Sequence, residues 1–168
     1  MTSYDTEKII NRIIQNLKLD SEIYDENGKD NKIPKILFGD PYQQDWLSIQ
    51  RPYIAIAPGD PFEIFEESFA IAKRGEQSPS TKITLQFFIT AVFDATLPED
   101  ALKQDLKFRT LLKNFFRKNP KLHNSTTDDD DDPLFHRSKT TITPKYVRGK
   151  MDSISAFTVV FHGDLIIS

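Results

Sequence analysis

His123 and His136 bracket an unbroken run of aspartates, Asp128 to Asp132. Imidazole nitrogens and carboxylate oxygens together are metal-ligand chemistry, so a His/Asp site is the first chemistry to test. Their spacing matches no known ligand pattern, and a tight site needs rigid elements and a second layer of hydrogen bonds behind the ligands. A calcium loop needs a glycine at its sharp turn and a distal bidentate glutamate, and this run lacks both. Asp25-Glu26-Asn27-Gly28 places its glycine too early for the same motif. Charge runs usually mark solvated chain, so both segments are assigned to loop and turn. The six glycines form no phosphate-cradling pattern, no Gly-x-Ser-x-Gly elbow is present, and the chain has no cysteine. That composition excludes disulfides, thiolate metal sites and cysteine nucleophiles. Asp and Glu pairs abound, but none sits among apolar residues that would raise a carboxylate pKa. Neither enzymatic activity nor a cofactor is expected.

Binding chemistry has more to work with. Lys103, Lys107, Arg109, Lys113, Arg117 and Lys118 lie within one helical stretch, residues 97–118, with Lys121 just beyond. Such a face can meet nucleic acid or an acidic partner, or it can be the ordinary polar side of an amphipathic helix. The aromatic interleaving of a base-stacking platform does not accompany it. Leu134 and Phe135 are the only large adjacent apolar pair in the segment 122–139, which otherwise has no periodicity and is expected to be a mobile acidic loop. That pair is read either as an anchor on a neighbouring subunit or ring, with the aspartates near its basic residues, or as part of a tolerated surface insertion, since long loops add little closure cost. The candidate partner contacts are therefore Lys103, Lys107, Lys113, Arg117, Leu134 and Phe135.

The elements that must position these residues follow from periodicity. From Ile83 to Phe93 the chain alternates, with Ile83, Leu85, Phe87, Ile89, Ala91 and Phe93 on one face. The other face, Thr84, Gln86, Phe88, Thr90 and Val92, is half polar and half apolar, as in a strand covered on one side and partly on the other. Thr96-Leu97-Pro98-Glu99 reads as a capping box opening a long helix. Leu102, Leu106, Phe108, Leu111, Leu112, Phe115 and Phe116 form a broad apolar stripe, and Asn119-Pro120 ends it. An earlier helix, Asp5 to Lys18, carries Ile9, Ile10, Ile13, Ile14 and Leu17.

Other strands are placed at Pro52 to Gly59, ended by a proline-glycine turn, and at Ser153 to Phe161, with Leu165 to Ile167 continuing after a bulge at Gly163. Ile33 to Phe38, interrupted by Pro34, is at best an edge segment. In Phe62 to Lys73, Glu63, Glu66 and Glu67 favour helix, while Ser68 to Ala72 alternates. A strand over 67–73 is preferred, because the polar hairpin loop Arg74 to Ser80 needs a partner strand before the central one. Thr140 to Arg148 is a further strand, with Pro144 marking an edge or bulge.

The order is α-β-β-β-α-β-β. It predicts one α+β domain over residues 1–168, a mainly antiparallel sheet of about five strands with two helices packed on it. Formal net charge is −3, so bulk charge does not mark a polyanion binder. Met1 to Asp5 lacks a basic flank and a long apolar run, so no signal peptide is expected, and no stretch approaches a membrane span.

With this order laid out, the chain resembles the tail terminator and tail-completion (head–tail neck) proteins of long-tailed phages and related viruses. The resemblance is one of pattern and covers most of the chain. It lies in the N-terminal helix Asp5 to Lys18, the Pro-Tyr-Ile-Ala-Ile strand Pro52 to Ile56, the polar-tipped hairpin Glu67 to Phe93, the long helix Leu97 to Lys118 and the closing hairpin Thr140 to Phe161. The acidic loop and the insertion Asp20 to Gln50 depart from it. It implies a non-enzymatic virion protein assembled in the host cytoplasm, a homohexameric ring that caps the tail tube. Its implied partners are itself, the tail tube, neck and connector proteins, and DNA in the ring lumen, with no membrane. Exposed edges of an antiparallel sheet suit subunit pairing. The alternative is a small adaptor that engages an acidic partner through the basic helix 97–118.

Overall fold

The computed structural model describes residues 4–40, 48–73, 76–94, 97–123, 133–143 and 154–167. Helix α1 spans Thr6–Leu19, and the Asp5 side chain caps it by accepting from the Lys8 amide at 3.2 Å. Its apolar row, Ile9, Ile10, Ile13, Ile14 and Leu17, is buried, while Leu19 at its end is exposed. A turn follows in which the Asp25 carboxylate accepts from the Asn27 and Lys29 amides at 2.9 and 3.2 Å. Gly28 there adopts a left-handed φ of 66°. The acidic Asp25 to Gly28 segment thus spends its carboxylate on its own backbone, as a turn does.

Five strands form one sheet in the order β1-β2-β3-β5-β4. They are β1 (Lys35–Phe38), β2 (Tyr53–Lys73), β3 (Glu76–Asp94), β4 (Arg137–Thr143) and β5 (Ile154–Ile167), with helix α2 (Pro98–Lys118) between β3 and β4. The fold is α+β, and every strand pair is antiparallel except β1 with β2, which is parallel.

The strand count agrees with expectation, but its composition does not. Pro52 to Gly59 and the segment from Glu67 are one strand. Between Pro58 and Phe65, β2 advances seven residues while β3 advances three, from Phe87 to Thr84, so the ladder bulges and then resumes. Pro58 and Pro61 cannot donate to the ladder, which is why it opens there. Gln86 closes the gap. Its amide donates to the Pro61 carbonyl at 3.1 Å, and its side chain lies where a Gly59 Cβ would stand, 2.5 Å from Gln86 Cγ. The central strand also starts earlier than expected, because Glu76 to Ser80 pairs with β2 rather than looping. The edge segment near Ile36 is β1 itself.

Both helices lie on one face of the sheet and share one core. Ile83, Leu85, Phe87, Ile89, Ala91 and Phe93 of β3 all point into it, as their alternation predicts, with Phe157, Val159 and Phe161 of β5. Phe87 sits at the centre, its ring 5.4 Å from Phe62, 6.0 Å from Phe135 and 6.1 Å from Phe161. On the opposite face Tyr53, Ala55, Val92, Ile154 and Ala156 make a second, smaller cluster. Beyond it runs a series of cross-strand polar pairs, so this face is mixed, as its sequence predicts.

Gly163 is not a bulge. β5 pairs with β3 without interruption from Ile154 to Ile167, and Gly163 faces Leu85. The glycine serves Phe135, because a Cβ at Gly163 would come within 2.5 Å of the Phe135 ring. Two further expectations change. The N-cap of α2 is Leu97, whose side chain makes no cap hydrogen bond, while Thr96 lies outside the described residues. Strand β4 begins at Arg137 rather than Thr140, and Pro144 lies outside the described residues.

Candidate functional site

The basic residues of α2 do not form one stripe. Arg109 turns inward, donating to Asp105 at 2.7 Å and lying 5.4 Å over the Phe157 ring. Asp105 is buried, and so this pair fastens the helix to the sheet rather than facing solvent. Lys107 reaches the Asn31 carbonyl at 3.3 Å and covers the Phe108 ring. Lys103 pairs with Glu99 at 2.8 Å one turn earlier, both side chains being exposed. Lys118 approaches Glu22 to 3.9 Å. Surface pairs of this kind contribute little stability. Lys113 and Arg117 are exposed and make no salt bridge to a described residue.

These last two continue a ridge that helical spacing fixes. Leu102, Leu106, Lys113 and Arg117 follow one another along the flank of α2 beside the buried Phe108, Leu112, Phe115 and Phe116, and Lys113 and Arg117 border a cavity with Thr140 and Val159. Leu102 and Leu106, expected in the core stripe, are 48% and 56% exposed. The stripe is narrower than its sequence suggests, because the sheet covers only the side centred on Phe108 and Leu112. The ridge is therefore apolar toward the helix start and basic toward its end, with exposed Leu97 just before it.

A second surface lies at the far end of β3. Strand β5 pairs with β3 as far as Thr81, and beyond that point β2 and β3 pair, among the described residues, only with each other, out to Lys73 and Glu76. The hairpin thus leaves the sheet as a two-stranded ribbon of five residue pairs, about 17 Å long at the usual rise per residue. β1 covers β2 only from Tyr53 to Ile56, so among the described residues no strand pairs with the outer edge of β2 beyond it. Near the base of the ribbon Asp60, Glu63, Glu66 and Glu67 are exposed, with Ile64 and Phe65 between them, Phe65 being 54% exposed. Lys82 bridges to Glu67 at 3.1 Å and covers one side of the Phe65 ring.

Leu134 and Phe135 are not available to a partner. Both are buried in this chain's own core, Phe135 at 1% exposure, with its ring 5.4 Å from Phe161. Their backbone is held as well, since the Leu134 amide donates to Leu122 at 3.1 Å and the Phe135 amide to Lys121 at 2.9 Å. The expected solvated loop over 122–139 is closed at its base by these bonds and by the bridge between His123 and Pro133. An adjacent apolar pair after a charge run is better satisfied by the nearest core, which Gly163 leaves open for it. The aspartate run Asp128 to Asp132, with its suggested metal or partner role, lies outside the described residues.

Among the described residues no group of three His, Asp or Glu side chains converges as a metal site. The outer sheet face carries cross-strand polar pairs. Thr84 donates to Asp164 at 2.6 Å, Thr90 and Thr158 share a hydrogen bond at 3.0 Å, and His162 Nε2 meets Gln86 Oε1 at 3.0 Å. Gln86 presents its oxygen to His162 because its amide is committed to Pro61, so His162 carries its proton on Nε2. Partial burial, with Lys139 nearby, pushes the His162 pKa below the ordinary imidazole value, while Asp164 opposes the shift. Such pairs lock strand register. No helix among the described residues is long and apolar enough to cross a membrane.

Sequence reasoning missed the ribbon and the exposure of Leu102 and Leu106. One signal was present: Glu63, Glu66 and Glu67 enclose the adjacent apolar pair Ile64-Phe65, a pattern suited to neither a buried strand nor a simple loop. Compared with models of known protein families and with curated proteins, the chain matches none.

Proposed function

We propose that the chain is a structural virion protein, a ring-forming tail terminator or neck component that caps the tail tube at the head–tail junction. The resemblance of element order supports this, and so does one feature of the fold, the ribbon of β2 and β3, with whose outer edge no strand among the described residues pairs. A row of free backbone donors and acceptors is a template for another chain. A two-stranded ribbon is marginal by itself in water, and a neighbouring subunit would supply the missing contacts. On this account the protein is non-enzymatic and is incorporated into virions assembled in the host cytoplasm. It contacts the tail tube and adjoining neck proteins, and its lumen passes DNA.

Light scattering over a concentration series, electron microscopy and co-sedimentation with purified tail tubes test the assignment. The expected result is a closed ring, either free or on tube ends. A species that stays monomeric at high concentration and ignores tail tubes would overturn it.

A second reading, an adaptor engaging an acidic partner through α2, draws on the exposed Lys113 and Arg117. It predicts a monomer whose binding of an acidic protein weakens with salt, and it fails if the chain forms rings without any partner.

A further inference from the structure

The sheet has open backbone in more than one place, and two of the stretches suit each other. Beyond Thr81 the ribbon has two sides. Its β3 side carries Pro79, which has no amide to donate, whereas its β2 side has no proline from Phe65 to Lys73. At the far end of the sheet, β4 pairs with β5, and among the described residues no strand pairs with its other side. The Ser138 hydroxyl donates to the Pro120 carbonyl, so the chain after α2 abuts the start of β4. The open stretch there is Lys139 to Thr143, about 17 Å at the usual rise per residue.

We propose that the β2 side of the ribbon in one copy pairs with the open side of β4 in a second copy, so that one sheet runs on from subunit to subunit. Direction allows it. The pairs β2–β3, β3–β5 and β5–β4 are all antiparallel, so the four strands alternate, and β2 of the next copy continues the alternation beside β4. The joint is then antiparallel, the more stable ladder. The faces agree as well. Phe65 and Glu67 stand opposite Thr84 and Lys82, and Lys139 and Thr141 stand opposite His162 and Val160, all on the face away from the helices. Glu67 and Lys139 are exposed, and Lys139 makes no salt bridge to a described residue. Across the joint they lie opposite or diagonal to one another, where unlike charges attract. Joining like edges would instead set two Glu67 or two Lys139 side chains on one face, and β4 against the four-residue β1 would set Lys139 near Lys35.

Height along the strands gives the closure. Strand β4 stands level with residues 84–90 of β3, whereas Phe65 to Lys73 stand level with residues 76–84. Joining them offsets each copy from the next along the strands, and a sheet closes on itself only with such an offset and the tilt it brings. The two edges differ, so the contact is head-to-tail and makes a ring where the rotation closes. The inference rests on the self-assembly in the proposed function and adds which strands carry it.

The chain has no cysteine, so introduced thiols report the joint cleanly. Phe65→Cys and Thr141→Cys each replace an exposed side chain, and circular dichroism checks that both proteins fold. Assembled together and treated with a short bismaleimide, which spans opposite and diagonal positions alike, the two proteins are expected to cross-link to each other. Neither is expected to cross-link to itself. A charge swap reads the same joint without thiols. Glu67→Lys alone and Lys139→Glu alone should each assemble roughly fivefold more weakly by light scattering, and an equal mixture should recover, because each altered edge then meets its complement.

Rings in which the two thiols never join would overturn the strand assignment and leave the proposed function standing. Cross-links within either single-cysteine protein would replace the head-to-tail joint by a two-fold one and overturn it too. A Phe65→Cys protein that cross-links only to added tail tubes would make the tube, not a second copy, the occupant of the β2 edge. A wild-type chain that never assembles would sink both proposals.

Discussion

Asn16 and His123 exchange two hydrogen bonds although 107 positions separate them. The Asn16 amide donates to the His123 carbonyl at 2.9 Å, and the His123 amide donates to Asn16 Oδ1 at 2.9 Å. One buried side chain thus satisfies both backbone groups of a residue that follows α2, and its amide also reaches the Arg12 carbonyl. The bond pair ties α1 to the segment that leads into Leu134 and Phe135.

Asn16→Ala should therefore cost about 1–3 kcal/mol, the range for leaving buried polar groups unpaired. Asn16→Asp keeps an acceptor but loses the donor, and it should not rescue. Urea denaturation measures both. A cost for Asn16→Ala within about 0.5 kcal/mol, typical of neutral surface changes, would show the pair to be incidental.

Phe135→Ala should lower stability by about 3–5 kcal/mol, as truncation of a buried Phe does. Gly163→Ala should also destabilise, because the new methyl meets the Phe135 ring. In the Phe135→Ala background that second cost should largely vanish, and a double-mutant cycle reads the difference. Additive costs would mean that Gly163 is needed for some other reason. For the same reason, a linker replacing Leu134 and Phe135 should unfold the chain rather than spare it.

Facing on the central strand gives a sharper contrast. Phe87→Ala should cost about 3–5 kcal/mol, since the ring stands among Phe62, Phe135 and Phe161. Thr84→Ala removes only the hydrogen bond to Asp164 on the outer face and should cost about 1 kcal/mol. Equal costs in chemical denaturation would contradict the burial of one face and the partial exposure of the other.

His162 should titrate below the ordinary imidazole value in the folded chain, chiefly because burial disfavours the cation. The unfolded chain then binds more protons than the folded one between the two pKa values. The neutral ring's contribution is fully present above the unfolded value and is lost as pH falls through the folded one. Proton NMR of the imidazole gives the midpoint directly. Lys139→Ala should move it upward, because a positive neighbour is removed, whereas Asp164→Asn should move it down. A Lys139→Ala midpoint that stays put would remove Lys139 from the account.

Much of this protein was legible without coordinates. The faces of β3 and β5, the buried row of α1, the order of elements and the α+β class follow from periods of two and 3.6 residues. Each such period is a local geometric property, and the chain carries it wherever it folds. Only the tertiary structure decided which competing partner each ambiguous segment takes. Pro58 and Gly59 would end an isolated strand, but Gln86 on the neighbouring strand bridges the gap and the ladder resumes. Leu102 and Leu106 have helical core spacing, but the sheet covers only the side of α2 centred on Phe108 and Leu112. Leu134 and Phe135 look like a surface anchor in sequence, yet a glycine distant in the chain leaves the space that buries them. In each case the outcome turned on a contact between residues far apart in the chain, and local sequence carries no record of such a contact.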